Sequence, residues 1–219
     1  MADYLVKLSH VAFAYGNRPP IFSDLNLELE TNLKAGLIGG NGSGKSTLLQ
    51  IITGLIKPKA GEIGLFGKIR RTEADFREGR LQIGFVFQDS NDQLFCPTVG
   101  DDLAFGPLNL GKSRAEADQI ALETLALLRL EGFRDRATYG LSDGEKKLVA
   151  IGSALAMRPK FLILDEPTNC LDDETRDRVI EILLACGLPY LIVAHDKNFL
   201  EKVARQRFRL KNGQIEALT

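Results

Sequence analysis

The chain has 219 residues, with 44% hydrophobic and 26% charged side chains, a composition typical of a globular protein with a substantial core. Its formal net charge is −1, which argues against nucleic acid as the main partner, because domains that bind nucleic acid carry an excess of positive charge. No run approaches the ~18 consecutive apolar residues of a membrane-spanning helix, and MADYLVKLSH lacks the basic start of a secretory signal, so we expect neither. The three cysteines are far apart and form no C-x-x-C pair, which indicates free thiols in a reducing, cytosolic compartment.

The first part of the chain alternates apolar and polar residues, in YLVKLSHVAFAY and again in IFSDLNLELE. A period of two predicts strands with one solvated face, and hence an antiparallel sheet. AGLIGG is short, apolar and ends in glycine, which is typical of a buried parallel strand. SGKSTLLQIITGL then changes to helical spacing, which places Leu48, Ile51, Ile52 and Leu55 on one face.

A helical block is predicted in the middle of the chain. RLQIGFVFQD has the pattern of a strand that ends near Gln88, and the pattern from Thr98 to Pro159 is mostly helical. Two S-x-x-E capping boxes begin helices there, one at Ser113 and one at Ser142. Pro159 is expected to end the second helix.

The last third alternates strands with helices. FLILD is an apolar strand with an acid at its end, DETRDRVIEILLAC is a helix that Gly187 would close, and YLIVAHD is another buried strand. RFRLKNGQIEAL is predicted to be a hairpin, because Asn212-Gly213 suits a type I′ turn. The alternation predicts an α/β fold with a parallel-sheet core, to which the strands at both ends and the helical block are additions.

Gly39, four further residues and Gly44-Lys45-Ser46 match G-x-x-x-x-G-K-[ST], the phosphate-binding loop, in the strand–loop–helix context that this motif needs. Glycines let backbone N–H groups turn inward around a polyphosphate, and the following helix offers its positive dipole end. Lys45 would reach the β and γ phosphates, the Ser46 hydroxyl would bind Mg²⁺, and Thr47 would support the α phosphate.

Three predicted strands end in a side chain with useful chemistry, namely Gln88, Asp165 and His195. In open parallel sheets, ligands bind where the carboxyl ends of the strands meet. Asp165 is suited to hold Mg²⁺, and the neighbouring Glu166 to polarise an attacking water. Gln88 and His195 would complete a site that gathers Mg²⁺, water and the γ phosphate.

Taken in order, the motifs resemble those of the nucleotide-binding subunit of an ABC (ATP-binding cassette) transporter, over essentially the whole chain. GGNGSGKS resembles Walker A and FLILDE resembles Walker B, while Gln88 falls on the Q-loop and His195 on the switch histidine. LSDGE resembles the signature LSGGQ, NCLD resembles the D-loop, and Tyr15 resembles the aromatic residue that stacks on adenine.

The resemblance implies an α/β fold of the P-loop NTPase (RecA-like) class, with a parallel-sheet core, an N-terminal antiparallel β subdomain and an inserted α-helical subdomain. Residues 1–219 would form a single ABC ATPase domain. The nucleotide-binding core and β subdomain would occupy about 1–87 and 160–219, and the helical subdomain with the signature about 88–159.

The resemblance also implies an ATPase that binds ATP and Mg²⁺. The expected catalytic residues are Lys45, Gln88, Glu166 and His195. The expected Mg²⁺ ligands are Ser46, Gln88 and Asp165. The expected nucleotide contacts are Tyr15, Gly39, Asn41, Gly42, Ser43, Gly44, Lys45, Ser46, Thr47, Leu141, Ser142, Gly144 and Asp172.

In this family ATP lies between the P-loop of one chain and the signature helix of another, so the resemblance implies a head-to-tail dimer of two identical chains, or one with a paralogous ATPase. The D-loop, Asn169–Asp172, would cross the dimer axis. Two signature positions depart from LSGGQ. Glu145 replaces the glutamine and completes the capping box of Ser142, whereas Asp143 replaces a glycine. We expect the Asp143 side chain to point away from the nucleotide, whose charge would repel it.

VFQDSNDQLFCPTVGDDLAFGPLNLG (Val86–Gly111) resembles the energy-coupling factor group, in particular the ATPases of cobalt and nickel uptake. That resemblance implies two membrane partners, a transmembrane scaffold and a substrate-binding subunit, and a peripheral position at the cytoplasmic face of the cell membrane. Phe95, Phe105, Pro107 and Leu108 are candidates for the groove that receives the scaffold, or else belong to the core of the helical block.

Other interpretations stay open on the sequence. A vitamin such as biotin is the next candidate substrate, and a cytosolic ABC ATPase, such as an assembly factor of iron–sulfur biogenesis, is opposed only by Val86–Gly111. ABC proteins that act on DNA need a long coiled coil, and the chain has no heptads. Those that act on ribosomes generally carry two cassettes. A P-loop kinase or GTPase would not need LSDGE with a histidine after a late strand.

Overall fold

The computed structural model describes residues 4–218. They form two compact units: the described chain up to Gln82 together with the segment from Leu188 onward, and the continuous segment Ile83–Gly187. The predicted subdomains, with boundaries near 87 and 160, divide the chain differently and stay a prediction. Residues 1–3 and 219 of the predicted domain lie outside the described residues.

Strands and helices alternate along most of the chain. The strands are β1 (Val6–Phe13), β2 (Phe22–Leu29), β3 (Lys34–Ile38), β4 (Ala60–Leu65), β5 (Lys68–Arg70), β6 (Ile83–Val86), β7 (Phe161–Asp165), β8 (Tyr190–Val193), β9 (Gln206–Lys211) and β10 (Gln214–Leu218). The α-helices are α1 (Lys45–Ile52), α2 (Glu73–Arg80), α3 (Val99–Asn109), α4 (Arg114–Leu127), α5 (Asp143–Ala156), α6 (Asp173–Ala185) and α7 (Lys197–Val203). Within residues 4–218, no helix is both long enough and apolar enough to cross a bilayer.

The first unit contains an antiparallel sheet in the order β2-β1-β4-β5. In β1, Val6 lies opposite Leu29 of β2 on one side and opposite Leu65 of β4 on the other. The alternation predicted for β2 is present, since its apolar residues are buried and the polar residues between them are exposed. The predicted antiparallel sheet is therefore confirmed. β4 and β5 were not predicted, because AGEIGLFGKIR mixes glycine and charge without a clear period.

The same unit also contains strands in the order β10-β9-β3-β8. β3 runs parallel to both of its neighbours here, with Ile38 opposite Arg209 of β9. Because parallel strands end at one edge, the loops after β3 and β8 lie side by side. β9 and β10 form the predicted hairpin, in which Asn212 and Gly213 have φ angles of 51° and 74°, as a type I′ turn requires.

α1 follows the loop after β3 and buries an apolar face that includes Leu48, Ile51 and Ile52. The helix ends at Ile52, and Gly54 then turns the chain with a φ of 71°. Leu55, which was predicted to share one face with Leu48, Ile51 and Ile52, is exposed. That prediction is wrong because the glycine ends the helical spacing before Leu55 is reached.

The second unit, Ile83–Gly187, pairs β6 with β7 in parallel, with Val86 opposite Leu164. α3, α4 and α5 pack against one another, and α4 and α5 both begin with the predicted capping boxes. Gly187 follows α6 with a φ of 68°, in the left-handed region predicted for it. β6 ends at Val86, so Gln88 lies in the loop after the strand rather than at its end.

Candidate functional site

The phosphate-binding loop predicted at Gly39–Ser46 joins β3 to α1. Gly44 has a φ of 101°, a backbone conformation that residues with a Cβ rarely adopt. A Cβ atom at this position would also lie 2.6 Å from the Ile21 side chain. Asn41 and Gly42 form the exposed tip of the loop, and Gly42 has a φ of 76°. The glycine at position 44 is therefore needed both for the turn and for the space beside it.

The start of α1 differs from that of the other six described α-helices. Each of those begins with a Ser, Thr or Asp side chain that accepts a hydrogen bond from the first turn. Gly44 offers no such cap, and the first turn of α1 has no acidic residue. Ser43 Oγ is buried and has no hydrogen-bond partner among the described residues. The loop thus combines donors that no side chain satisfies with a positive helix end, and this combination fits a polyphosphate.

Lys45 and His195 meet at this loop. Lys45 Nζ donates hydrogen bonds to the carbonyl oxygens of Gly39, at 2.9 Å, and Gly40, at 3.2 Å. It lies 3.4 Å from His195 Nε2, because β3 and β8 are parallel neighbours. The structure therefore brings two of the predicted catalytic residues together in the first unit.

Tyr15 follows β1 and stands beside α1. Its hydroxyl lies 3.3 Å from Thr47 Oγ1 and donates a hydrogen bond to Gln50 Oε1, also at 3.3 Å. Its ring packs edge-on against Phe13, with 4.8 Å between centroids. Thr47 is buried and Ser46 is exposed in the first turn of the helix. An exposed aromatic ring next to the phosphate-binding helix suits stacking on a nucleobase.

A pocket of about 490 Å³ opens beside the loop in the first unit. Gly39, Gly40 and His195 line it together with three cationic side chains, Lys197, Arg209 and Lys211. None of the three cations has an ion pair among residues 4–218. Positive charge concentrated at a concave surface raises the local concentration of anions, so this pocket strengthens the fit to a polyphosphate.

In the second unit, two carboxylates lie at the end of β7. Asp165 is the last residue of the strand and is buried. Glu166 follows with a φ of 48°, a left-handed conformation that is uncommon for a residue with a side chain. Backbone strain of this kind is concentrated at functional sites, where the surrounding fold maintains it.

A pocket of about 500 Å³ in the second unit gathers several predicted site residues. Gln88, Asp143 and Asp165 line it, together with Lys147 and the segment Asn169–Leu171. The Q-loop, the signature helix, the Walker B carboxylate and the D-loop thus share one polar cavity. Asp143 faces this cavity; its expected orientation away from a nucleotide stays a prediction.

The expected Mg²⁺ ligands are Ser46, in α1, and Gln88 and Asp165, in the second unit. They offer a hydroxyl, an amide and a carboxylate oxygen, and Mg²⁺ prefers oxygen donors of this kind. The chemistry of the donor set therefore fits the ion.

The signature residues form the first turn of α5. Ser142 Oγ accepts a hydrogen bond from Glu145 N at 3.2 Å, and Ser142 N donates to Glu145 Oε2 at 2.7 Å. Burial opposes ionisation of Glu145, but the bonds from Ser142 and from Arg136 outweigh it and hold the pKa of Glu145 below its usual range. Leu141 is buried, whereas Ser142 and Asp143 are exposed. The capping box thus leaves the hydroxyl-bearing residue at the surface.

Gly144 and Asp172 connect α5 to α6. A Cβ atom on Gly144 would lie 3.0 Å from Thr175 Oγ1, so glycine allows close approach of the two helices. Asp172 is the N-cap of α6, where its Oδ1 accepts a hydrogen bond from Thr175 N at 2.7 Å. This bond and the one from the Thr175 hydroxyl lower the pKa of Asp172. Asp172 therefore has a structural role in addition to the nucleotide contact predicted for it.

The four groove candidates separate into two kinds. Phe95 and Phe105 are 65% and 43% exposed and meet edge to face, with 4.8 Å between ring centroids. Both line a pocket of about 150 Å³ with Phe85 and other residues of the second unit. Pro107 is buried within α3, and Leu108 is half-buried. Neither of these two lines the pocket, so the two phenylalanines are the more accessible of the four candidates.

Sequence reasoning missed Lys147, Lys197, Arg209 and Lys211. In β9 the alternation of cations with Phe208 and Leu210 could have indicated a charged face. Nothing in the sequence around Lys197 indicated a role in binding, because only the fold brings it near Arg209 and Lys211. Lys147 follows Lys146 in the sequence, and nothing local indicates that it is the buried one of the pair.

Comparisons with known proteins agree with this geometry. The sequence profile of the family described as "ABC transporter" matches residues 22–169. The chain is 38% identical to the energy-coupling factor transporter ATP-binding protein EcfA of Methanothermobacter thermautotrophicus, over 97% of this chain and 70% of that protein. Among solved structures, cbiO1 from Clostridium perfringens, described as part of the ABC transporter complex cbiONQ, matches with a TM-score of 0.88 and 32% identity, over 98% of this chain and 87% of that one. The ATP-binding cassette MJ0796, solved as a dimer in a post-hydrolysis state with ADP and Pi, matches with a TM-score of 0.87 and 29% identity, over 98% of this chain and 99% of that one.

These findings confirm the resemblance to ATP-binding subunits of the energy-coupling factor group and the predicted P-loop α/β fold class. The roles of individual site residues stay predictions. The profile match covers most of the chain, and the relatives and structures are similar along nearly all of it. The chain therefore belongs to the ABC transporter family, in which it is an ATP-binding cassette and an ATPase.

Proposed function

We propose that this ATPase powers an importer of the energy-coupling factor type. The observation that carries the proposal is the similarity to EcfA and to cbiO1 along nearly the whole chain. The Val86–Gly111 block supports it, because its sequence resembles that group and two of its phenylalanines, Phe95 and Phe105, form an exposed pair at the surface. Cobalt or nickel is the proposed cargo, and a vitamin such as biotin is the second candidate.

The proposed chemistry is the attack of water on the γ phosphate of ATP. Lys45 and the first turn of α1 hold the phosphates, and the pocket of Lys197, Arg209 and Lys211 adds positive charge beside them. Tyr15 stacks on the base. Ser46, Gln88 and Asp165 would hold Mg²⁺, which would supply positive charge to neutralise the phosphates.

Glu166 is the proposed group that polarises the attacking water, and its strained backbone fixes its position at the end of β7. His195 is proposed to stabilise the γ phosphate. Its Nε2 atom lies 3.4 Å from Lys45 Nζ, the other group proposed to contact that phosphate.

The proposed active form is a head-to-tail dimer, of two copies or with a paralogous ATPase. Ser142 and Gly144 of one chain would then cover the ATP held at the P-loop of the other, at the positive end of α5. The similar cassette MJ0796 was solved as a dimer with ADP and Pi, which supports a dimeric form. ATP would hold the two chains together, and hydrolysis would weaken their contact.

The proposed location is the cytoplasmic face of the cell membrane, bound to a transmembrane scaffold and a substrate-binding subunit. Phe95 and Phe105 form the proposed contact with the scaffold. Exposed aromatic residues around a small pocket are typical of the anchor points of protein interfaces.

The test is affinity purification of the tagged chain from gently solubilised membranes, followed by mass spectrometry. We expect a polytopic scaffold and a second membrane subunit, which would also identify the cargo class. Phe95→Ala should reduce recovery of the scaffold, whereas Leu122→Ala, which truncates a 45% exposed leucine on α4, should not. Recovery of soluble proteins alone would refute the importer and leave a cytosolic ABC ATPase.

A further inference from the structure

Lys147 is a buried lysine on the helix that begins with the signature. It is only 4% exposed, whereas Lys146 beside it is half-buried. Its ammonium donates hydrogen bonds to the carbonyl oxygens of Phe87, at 3.1 Å, and Gln88, at 2.8 Å. Burial of an ammonium group carries a large free-energy cost unless the group is hydrogen-bonded, and these two bonds offset that cost.

The two carbonyls belong to the two peptide planes that flank the Cα atom of Gln88. The Phe87 carbonyl lies in the plane before it, and the Gln88 carbonyl in the plane after it. Because peptide groups are planar, fixing both planes also fixes the direction in which the Gln88 side chain leaves the backbone. One ammonium group thus sets the starting direction of the glutamine side chain.

A second link fixes the same loop to the same helix. Phe87 N donates a hydrogen bond to Gln93 Oε1 at 3.0 Å, while Gln93 Nε2 donates to Ala150 O at 2.8 Å and to Ser153 Oγ at 2.9 Å. Phe87 is therefore connected to α5 through both its N–H and its carbonyl. Both links join the loop to the same helix.

The ammonium group also faces the polar cavity of the second unit, which Asp165, Asn169 and Cys170 line with it. Burial lowers the pKa of Lys147, and the charges of Asp89 and Asp165 oppose that effect. The cation is thus placed between the Q-loop backbone and the Walker B carboxylate.

We propose that Lys147 is a positioning residue that locks Gln88 to the signature helix, so that Gln88, which acts at the ATP of its own chain, and Ser142, which covers the ATP of the partner, move as one rigid group. The proposal rests on the role of Gln88 in the proposed ATPase site. Lys147 itself touches no reacting atom. Its effect is on the geometry of Gln88, and therefore on turnover and on the use of Mg²⁺ rather than on the affinity for ATP.

The test compares Lys147→Met, which keeps the apolar stem and removes the donors, with Lys147→Arg, which keeps charged donors. For Lys147→Met we expect kcat to fall about tenfold, the effect of losing one charge-assisted contact in an aligned site, with KM for ATP within about twofold of wild type. The Mg²⁺ concentration that gives half-maximal turnover should rise. Lys147→Arg should recover most of the loss, and Lys112→Met, which changes an exposed lysine before α4, should behave as wild type.

Hydrogen exchange separates positioning from a loss of folding. The amide of Phe87, which donates to Gln93 Oε1, should exchange faster in Lys147→Met, while amides in β3 and α1 keep wild-type protection. If a folded Lys147→Met protein kept the wild-type kcat, Mg²⁺ dependence and exchange, the inference would be overturned. Equal loss of turnover in both variants, with wild-type exchange of the Phe87 amide in Lys147→Arg, would overturn it as well.

The outcome is independent of the importer proposal, because purified ATPase is used and no membrane partner is needed. If Gln88→Ala left turnover unchanged, the catalytic role of Gln88 would fail, and the exchange measurement would still show whether Lys147 holds the loop. If wild-type protein were to turn over ATP but recover no membrane subunits, only the importer would be refuted.

Discussion

Two helices of the second unit begin with the same capping box, and only one of them carries the signature. In α4, Glu116 N donates to Ser113 Oγ at 3.3 Å; in α5, Glu145 N donates to Ser142 Oγ at 3.2 Å. Ser113→Ala and Ser142→Ala therefore remove the same kind of bond. Loss of such an N-cap costs about 1 kcal/mol, which should lower the melting temperature of a chain of this size by about 2–4 °C.

The two substitutions should differ in activity. If Ser142 also contacts the γ phosphate across a dimer, Ser142→Ala should lower kcat about tenfold or more, the effect of losing a hydrogen bond to a charged group in the transition state. Ser113→Ala should retain wild-type turnover, since α4 carries no predicted site residue. Circular dichroism gives the melting temperatures, and phosphate release gives the rates.

Several outcomes would contradict this reasoning. Equal and small losses of activity in both variants would show that Ser142 acts only as a cap. A wild-type melting temperature for both would show that the cap bonds contribute little to the free energy of unfolding. Loss of activity in Ser142→Ala with a drop in melting temperature far larger than in Ser113→Ala would indicate that the signature turn had unfolded.

Three further predictions follow from the site. Lys45→Ala should reduce phosphate release to background, because it removes the ammonium group that lies at the loop, where the β and γ phosphates would bind; wild-type turnover would refute the P-loop assignment. Asp143→Gly should leave turnover of the dimer within about twofold, the margin of a surface change, and a large gain in rate would show that the aspartate opposes the nucleotide. The lowered pKa of Glu145 contributes stability at pH values above its unfolded pKa of about 4.3, and that stability is lost as the pH falls through the folded value. Glu145→Gln should therefore flatten the pH dependence of the melting temperature in that acidic range, and an unchanged profile would contradict the assignment.

Most of the phosphate-binding half of the site was predictable because its signals are local. Gly44, Lys45 and Ser46 form one short motif, and AGLIGG before it and STLL after it have the periods of a buried strand and a helix. The S-x-x-E boxes at Ser113 and Ser142 identified two helix starts from residues within one turn. Interactions of this range do not depend on the rest of the fold.

What the sequence did not reveal depends on tertiary contacts. Arg209 and Lys197 reach the P-loop pocket only because β9 pairs in parallel with β3 and α7 follows β8. The burial of Lys147 is decided by the loop that packs over α5, and not by its neighbours in the chain. The missed helix α2 is a different case, since Thr72 and Asp75 form a capping box that the charged surrounding sequence concealed.

The division of the chain into one continuous and one discontinuous unit has a consequence for biosynthesis. β3, which leads into the phosphate-binding loop, pairs in its unit with β8 and β9, and both follow Gly187. The ribosome therefore releases the loop long before those strands, whereas Ile83–Gly187 emerges as one uninterrupted stretch that can fold first. The entropic cost of bringing two segments together rises only slowly with the length of chain between them. The late synthesis of β8 and β9 therefore delays the pairing of β3 but adds little to its free-energy cost. A nascent chain that stops before β8 carries the complete Walker A sequence and lacks the neighbouring strands that hold it in shape.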